Sequence, residues 1–256
     1  MKEQIQKEIQ QLEALLDIKI LYAVESGSRA WGFASANSDW DVRFIYIHRK
    51  EWYLRIDDGP DNYEKILPND IDLGGWEIRK ALKLFRKSNP PLLEWLQSPL
   101  VYCEDNPFAE RLREQMKIYF NPKSCLHHYL HMADGNYKTY LQKEMVRVKK
   151  YFYVLRPILA CDWIMNTNSM APMEFSTLLD TQVTDAAIAA EIRQLLTRKA
   201  SGEELAEEPK ITMLNTYLDS KLAFFRDYVR TIDAPVAPSS EDLHQLFRQT
   251  LEETWT

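Results

Sequence analysis

Residues 40–47, Trp-Asp-Val-Arg-Phe-Ile-Tyr-Ile, are apolar on both faces over much of their length. A strand of that kind sits inside a sheet, because only there are both of its faces covered. This run commits the first part of the chain to a sheet with further strands. Two neighbours are candidates: Lys19 to Glu25, rich in Ile, Leu, Tyr and Val, and the shorter Ile71 to Leu73, ended by Gly74-Gly75. An amphipathic helix over residues 3–16 precedes them, with Ile5, Ile9, Leu12 and Leu16 on one face. Between Arg49 and Asn69 the turn signal Asp58-Gly59-Pro60 predicts a hairpin or a long loop, and the acids around it read as a solvated turn.

After Trp76 the periodicity becomes helical. Ile78, Leu82 and Phe85 mark one helix, stopped by Asn89-Pro90, and Pro91 to Gln97 forms a short one. Asn106-Pro107 and Asn121-Pro122 each combine an N-cap with proline at the first helical position. Helical patterns continue to about Met165, with Pro157 placed to kink one of them, and then over roughly 184–198, 211–231 and 241–253. The expected fold class is α+β: an N-terminal mixed β-sheet flanked by helices, followed by an all-helical domain. The expected division is 1–100 and 101–256.

A segment from Met1 to Gln11 that is polar and charged is unlike a signal peptide, and no apolar run approaches the ~18 residues of a membrane span. Three scattered cysteines do not make a disulfide framework. A cytoplasmic location without a membrane partner is expected. The net charge of −6 argues against a protein that coats nucleic acid. Local basic stretches interrupt that average, at Arg79 to Lys87 and Lys138 to Arg156, with an acidic patch at Glu203, Glu204, Glu207 and Glu208. Such stretches face a polyanion or are ordinary solvated faces. His127 and His131, four apart with Cys125 and His128 nearby, lack an obvious distant pair of zinc ligands.

Chemistry concentrates in Gly27-Ser28-Arg29 and Asp39-Trp40-Asp41-Val42-Arg43. Where a strand ends at Gly27-Ser28 the backbone amides are free, the serine adds a donor, and glycine permits close approach: a seat for phosphate. Ten residues separate Ser28 from Asp39, room for one short helix and a return. Asp39 and Asp41 are two apart on a strand, so both carboxylates share a face. Paired carboxylates repel unless exposed or neutralised, and hard oxygen ligands suit Mg²⁺. A third acid on a neighbouring strand would complete a site for two ions. Asp72 is the leading candidate, with Asp70 and Glu77 close enough to compete. Arg29 and Arg43 contact phosphate or pin Asp39 and Asp41 by ion pairing.

Gly-Ser, a spacer, Asp-x-Asp on a strand and a later strand aspartate resemble the DNA polymerase β nucleotidyltransferase superfamily. The closer resemblance runs on through Trp76-Glu77-Ile78-Arg79-Lys80, Lys87-Ser88-Asn89-Pro90, Glu94-Trp95-Leu96, Lys149-Lys150-Tyr151 and Leu155-Arg156-Pro157. It is to the predicted nucleotidyltransferase family associated with RNA repair pathways, sometimes called YcgL-like, and covers most of the chain. The resemblance implies an enzyme that moves a nucleoside monophosphate from an NTP such as ATP to an acceptor hydroxyl. Gly27 and Ser28 would hold the NTP phosphates. Asp39 and Asp41 would ligate both Mg²⁺ ions, and Asp72 the ion on the nucleophile side. Arg29 joins the nucleotide-binding candidates. So do Lys149 and Lys150, beside the aromatic run Tyr151-Phe152-Tyr153 that offers stacking for a base. The acceptor is an RNA end by the family association, or a protein or small molecule as elsewhere in the superfamily. A catalytically silent nucleotide- or RNA-binding module is the alternative reading, and oligomeric state is not legible.

Overall fold

The computed structural model describes residues 1–202 and 207–255; Glu203 and Glu204 of the acidic patch lie outside them. Two compact units emerge. One comprises residues 1–30, 39–119 and 236–256, the other residues 31–38 and 120–235.

The first unit is built on a five-stranded sheet of β1 (Ile18–Glu25), β2 (Trp40–His48), β3 (Asn62–Leu67), β4 (Ile71–Glu77) and β5 (Val101–Cys103), in the order β3-β4-β2-β1-β5. β2 is central, as its two apolar faces require. It runs antiparallel to β1 and parallel to β4, while β3 and β5 pair antiparallel with β4 and β1, so the sheet is mixed. Strand alternation sorts β2 in two. Val42, Phe44 and Tyr46 pack with Ile5, Ile9 and Leu12 of α1 (Lys2–Leu16) in one core cluster. Asp41, Arg43, Ile45 and Ile47 point the other way.

That second face is covered by helices. α4 (Ile78–Arg86) buries Ile78, Ala81, Leu82 and Phe85, and α5 (Pro90–Trp95) is capped by Asn89, whose side chain accepts from the Leu92 amide. Between β2 and β3 the chain makes only one short helix, α3 (Lys50–Tyr53). α6 (Phe108–Tyr119) begins after Asn106, whose carboxamide oxygen accepts from the Phe108 amide. The last helix, α12 (Glu241–Thr254), belongs to this unit too. Its Phe247 meets Tyr53 edge-on, and Trp255 donates its indole N–H to the His48 carbonyl.

The basic stretch 79–87 is largely engaged locally. Lys80 pairs with Asp61, Arg79 lies over the Trp52 and Tyr53 rings, and Arg86 donates to Ser240.

In the second unit α7 (Pro122–Asn136) runs into a π-helical turn over Tyr137–Leu141, and a 3₁₀ turn over Val148–Tyr151 leads into α8 (Phe152–Thr167). α9 (Phe175–Gln182), α10 (Ala186–Ala200) and α11 (Thr212–Thr231) complete its helices among the described residues. Phe33 packs against Phe152 and Phe175, and the Arg156 guanidinium lies over the Trp31 ring. Periodicity missed one feature here. A two-stranded ladder pairs β6 (Met145–Arg147) with β7 (Glu207–Pro209), and its acids meet arginines: Glu207 pairs with Arg147 and Glu208 with Arg198. Three-residue strands are too short to announce a period of two. Among the described residues no helix is long and apolar enough to cross a membrane.

Gly74-Gly75 does not end its strand; β4 runs through both to Glu77. The two glycines are there for what crosses them. A Cβ on Gly75 would lie 2.2 Å from the Phe44 ring, and one on Gly74 would lie 3.2 Å from the Arg43 side chain. Gly75→Ala should therefore force Phe44 off its seat and destabilise the fold by about 1–3 kcal/mol. Gly135→Ala, inside α7 with open space around it, should instead stabilise by up to about 1 kcal/mol. Urea denaturation of the two variants checks the contrast.

Candidate active site

β1 ends at Glu25, and a single helical turn, α2 (Gly27–Ala30), follows at once. Gly27 has φ +58°, a left-handed conformation that glycine adopts at no steric cost, and a Cβ there would lie 2.1 Å from an Asp41 carboxylate oxygen. The bare α-carbon is thus what lets the Gly-Ser turn and Asp41 lie against each other. The Ser26 amide donates to the Asp41 carbonyl at 2.8 Å, and the Asp41 amide donates to the Glu25 carboxylate at 2.9 Å.

Glu25 is a hidden support of this corner. It is fully buried, accepts the Tyr102 hydroxyl at 2.5 Å, and its carbonyl accepts from Ser98. Burial pushes its carboxyl above the ordinary value, against the pull of the Tyr102 and Asp41 hydrogen bonds. Its position at the end of an apolar strand gave no sign of this role.

Asp39 falls one residue before β2, because the ladder with β4 opens at Trp40, whose amide donates to the Asp70 carbonyl at 2.8 Å. Arg29 donates through Nε to the Asp39 carbonyl and lies over the Trp40 ring at 3.7 Å. It braces the strand entry.

In the parallel β2–β4 pair, Asp41 stands directly beside Asp72. One guanidinium nitrogen of Arg43, Nη2, donates to both carboxylates, at 2.9 Å to Asp41 and 2.8 Å to Asp72. Its Nη1 donates to the Asp72 and Val42 carbonyls. Arg43 reaches across because its stem passes over Gly74. These side chains are partly accessible, 30% for Asp41 and 39% for Asp72. Burial still raises the Asp41 carboxyl above its ordinary value; Arg43 pulls it back, and Asp72 and Asp39 push it further up.

The rival acids Glu77 and Asp70 lie elsewhere. Glu77 closes the far end of β4, buried, accepting from the Tyr53 hydroxyl and from the Arg79 amide as the N-cap of α4. Asp70 sits in the left-handed β3–β4 turn, exposed. In the second unit, Lys150 places its ammonium over the Tyr140 and Tyr153 rings, and Lys149 lies beside it on the same 3₁₀ turn. The aromatic run beside them is mostly core: Tyr151 and Phe152 are buried, and only Tyr153 is exposed.

Among the described residues no three His, Cys, Asp or Glu side chains are gathered around a metal position. The donor chemistry of the Asp41–Asp72 pair nevertheless fits a hard divalent cation. Two carboxylates on registered strands share one positive charge, and Arg43 supplies it.

The family model described as RlaP, RNA repair pathway DNA polymerase beta family, matches residues 1–249. The chain is 44% identical over 255 residues to the "Uncharacterized protein YcgL" of Bacillus subtilis (strain 168), spanning 100% of this chain and 98% of that one. Among solved structures, a nucleotidyltransferase-like protein from Exiguobacterium sibiricum 255-15 aligns at 12% identity with a TM-score of 0.35, over 89% of this chain and 75% of that one.

The raised Asp41 carboxyl has a consequence for stability. The folded chain holds this proton more tightly than the unfolded chain does. The resulting stabilisation is complete below the ordinary carboxylate value and is lost as pH rises through the elevated one. Asp41→Asn removes the titration. Its melting temperature relative to the parent, without divalent cations, should therefore be higher at pH 7.5 than at pH 4. Melting curves in a chelator at both pH values test this; an opposite trend would mean that the Arg43 ion pair outweighs burial.

Proposed function

Because this chain belongs to the RNA repair pathway DNA polymerase beta family, we propose that it is a magnesium-dependent nucleotidyltransferase that transfers a nucleoside monophosphate from an NTP to the hydroxyl end of an RNA strand. The observation that carries the reading is the registered pair Asp41 and Asp72 on parallel strands, set against Gly27. Two acids side by side on one partly accessible face carry more negative charge than the single Arg43 guanidinium between them neutralises, which leaves the pair suited to a divalent cation.

The assignment of parts follows. Asp39, Asp41 and Asp72 would hold magnesium, with the registered Asp41–Asp72 pair as the core of that site. When bound, magnesium neutralises the charge that develops on the phosphate oxygens. Gly27 and Ser28 receive the β- and γ-phosphates through backbone amides and the serine hydroxyl. Arg29 keeps the strand entry rigid, so that Asp39 stands beside the phosphates. Arg43 neutralises the acid pair, and a cation bound there would leave its guanidinium available to a phosphate oxygen. Asp72, on the strand farther from the Gly-Ser turn, is nearest to the incoming hydroxyl; it orients that hydroxyl and accepts its proton as the oxygen attacks the α-phosphorus, the α–β phosphoanhydride bond breaks and pyrophosphate leaves.

Three variants separate these roles. Asp39→Asn and Asp41→Asn should each lower transfer by more than about a hundredfold, since losing even an outer partner of a metal ligand costs roughly 10–100-fold. Both should abolish the thermal stabilisation by NTP that depends on magnesium. Asp72→Asn should lose transfer to a similar degree while keeping most of that stabilisation. The assay is transfer of label from each α-labelled NTP to a single-stranded RNA, alongside melting curves with and without magnesium. A parent that binds NTP in magnesium yet labels nothing would favour the silent binding module.

A further inference from the structure

Beside the carboxylates lies a cavity of about 500 Å³ that the chemistry above does not use. Arg43 and Asp72 line one end and Trp76 and Trp95 the other, with Glu64 and Ile66 of β3 along the side. The sequence pattern explains how they meet. Asp72, Gly74 and Trp76 alternate onto one face of β4, and Glu64 and Ile66 stand opposite Gly74 and Asp72 on β3. Gly74 carries no side chain, so the passage between Asp72 and Trp76 stays open apart from the Arg43 stem. Trp76 is half-buried and stacks on Trp95 with ring centroids 3.9 Å apart and planes inclined by 23°. Trp95 is 4% exposed, and its carbonyl accepts the Tyr22 hydroxyl, so the platform is rigidly backed.

The order of the strands decides what this cavity receives. The Gly27-Ser28 turn leaves β1, and β1 lies on one side of β2; β4 and then β3 lie on the other. If the leaving pyrophosphate rests at the Gly-Ser turn, in-line displacement requires the attacking hydroxyl to come from the opposite side of the α-phosphorus. That side is the β4–β3 side, where the cavity opens next to Asp72.

We propose that this cavity is the acceptor groove, and that Trp76, backed by Trp95, is a stacking platform for a nucleobase near the 3′-hydroxyl end of a single-stranded RNA. The inference rests on the nucleotidyltransferase reading and adds to it the groove and the stacking residue that would hold the acceptor. Asp72 and Trp76 are four strand residues apart, roughly 13 Å. A strand spaced at ~3.4 Å or more per nucleotide covers that length with its last few residues. The terminal hydroxyl then sits at Asp72 while an earlier base reaches the indole. A stacked base is recognised by its π-face, so the platform tolerates any sequence.

The test pairs loss of the ring with loss of the base. A ten-nucleotide single-stranded RNA is prepared intact and with one abasic residue at each of its last four positions. Its binding to the full chain is measured for the parent, Trp76→Leu and Trp76→Phe. We expect Trp76→Leu to weaken the intact strand about five- to a hundredfold, with Trp76→Phe retaining most of the affinity. One abasic position should weaken the parent by a similar factor and Trp76→Leu no further. The parent's tryptophan fluorescence should be quenched by the intact strand, and in Trp76→Phe part of that quench should vanish while binding persists. This reading stands even if Trp76→Leu fails to fold. Base loss that costs the same in parent and variant overturns the platform. So does a Trp76→Leu variant with weakened NTP binding and unchanged RNA binding, which would assign the ring to the donor. Transfer lost in Asp41→Asn but unaltered in Trp76→Leu refutes the groove and leaves the nucleotidyltransferase reading intact. A parent that binds no NTP in magnesium refutes both.

Discussion

Two carboxylates held side by side by a parallel ladder is the constraint around which this site is organised. β2 and β4 are locked in a register that sets Asp41 beside Asp72, and the backbone hydrogen bonds of the ladder leave neither free to drift away. Their repulsion has to be answered locally. Arg43 answers it from the same face of β2, two residues on. The arrangement has its own requirements: Gly74 so that the Arg43 stem can cross β4, and Gly27 so that the turn after β1 can close on Asp41. Several small-residue choices in the chain follow from this one pairing.

The two faces of the sheet divide the labour. Toward α1, Val42, Phe44 and Tyr46 form a dense core that fixes the strands, and Phe44 fills the space above Gly75. On the other face the middle and far end of β2 are buried, with Ile45 and Ile47 fully covered, and only the end with Asp41 and Arg43 is accessible. Charge thus stands on a rigid support that pays for it with apolar burial elsewhere. Glu25 and Tyr102 extend that support inward. A buried acid whose oxygens accept the Asp41 amide and the Tyr102 hydroxyl holds the strand entry from behind. The same logic runs at the far end of β4, where Glu77 is sequestered by Tyr53 and the α4 amide, away from Asp41.

How much of this was legible depended on the range of the signal. A run apolar on both faces placed β2 inside the sheet, and Asn-Pro caps placed the starts of α6 and α7. Short elements escaped: β5 has three residues, β6 and β7 likewise, and no pattern of that length stands out from loop. Gly74-Gly75 was misread as a strand end because glycine usually punctuates a strand. Here the glycines lie under side chains from β2 that are distant in sequence. The aromatic run at 151–153 suggested stacking, yet Tyr151 and Phe152 are core residues, since neighbours on a helix cannot all face outward.

The sequence by itself determined the ingredients: a glycine-serine turn, acids two apart, a later acid on a strand, and the family they resemble. Those are local, set by residue type and spacing along a few turns of chain. The tertiary structure decided which acids meet. Asp70, Asp72 and Glu77 lie close together in sequence, and only the parallel register of β4 against β2 sets Asp72 beside Asp41, because strand pairing is a long-range contact that spacing does not encode. It also decided that Arg43 bridges two acids across strands, and that Trp76 and Trp95, nineteen residues apart, stack beside them. Such meetings depend on how the strands and helices pack, which local periodicity does not encode.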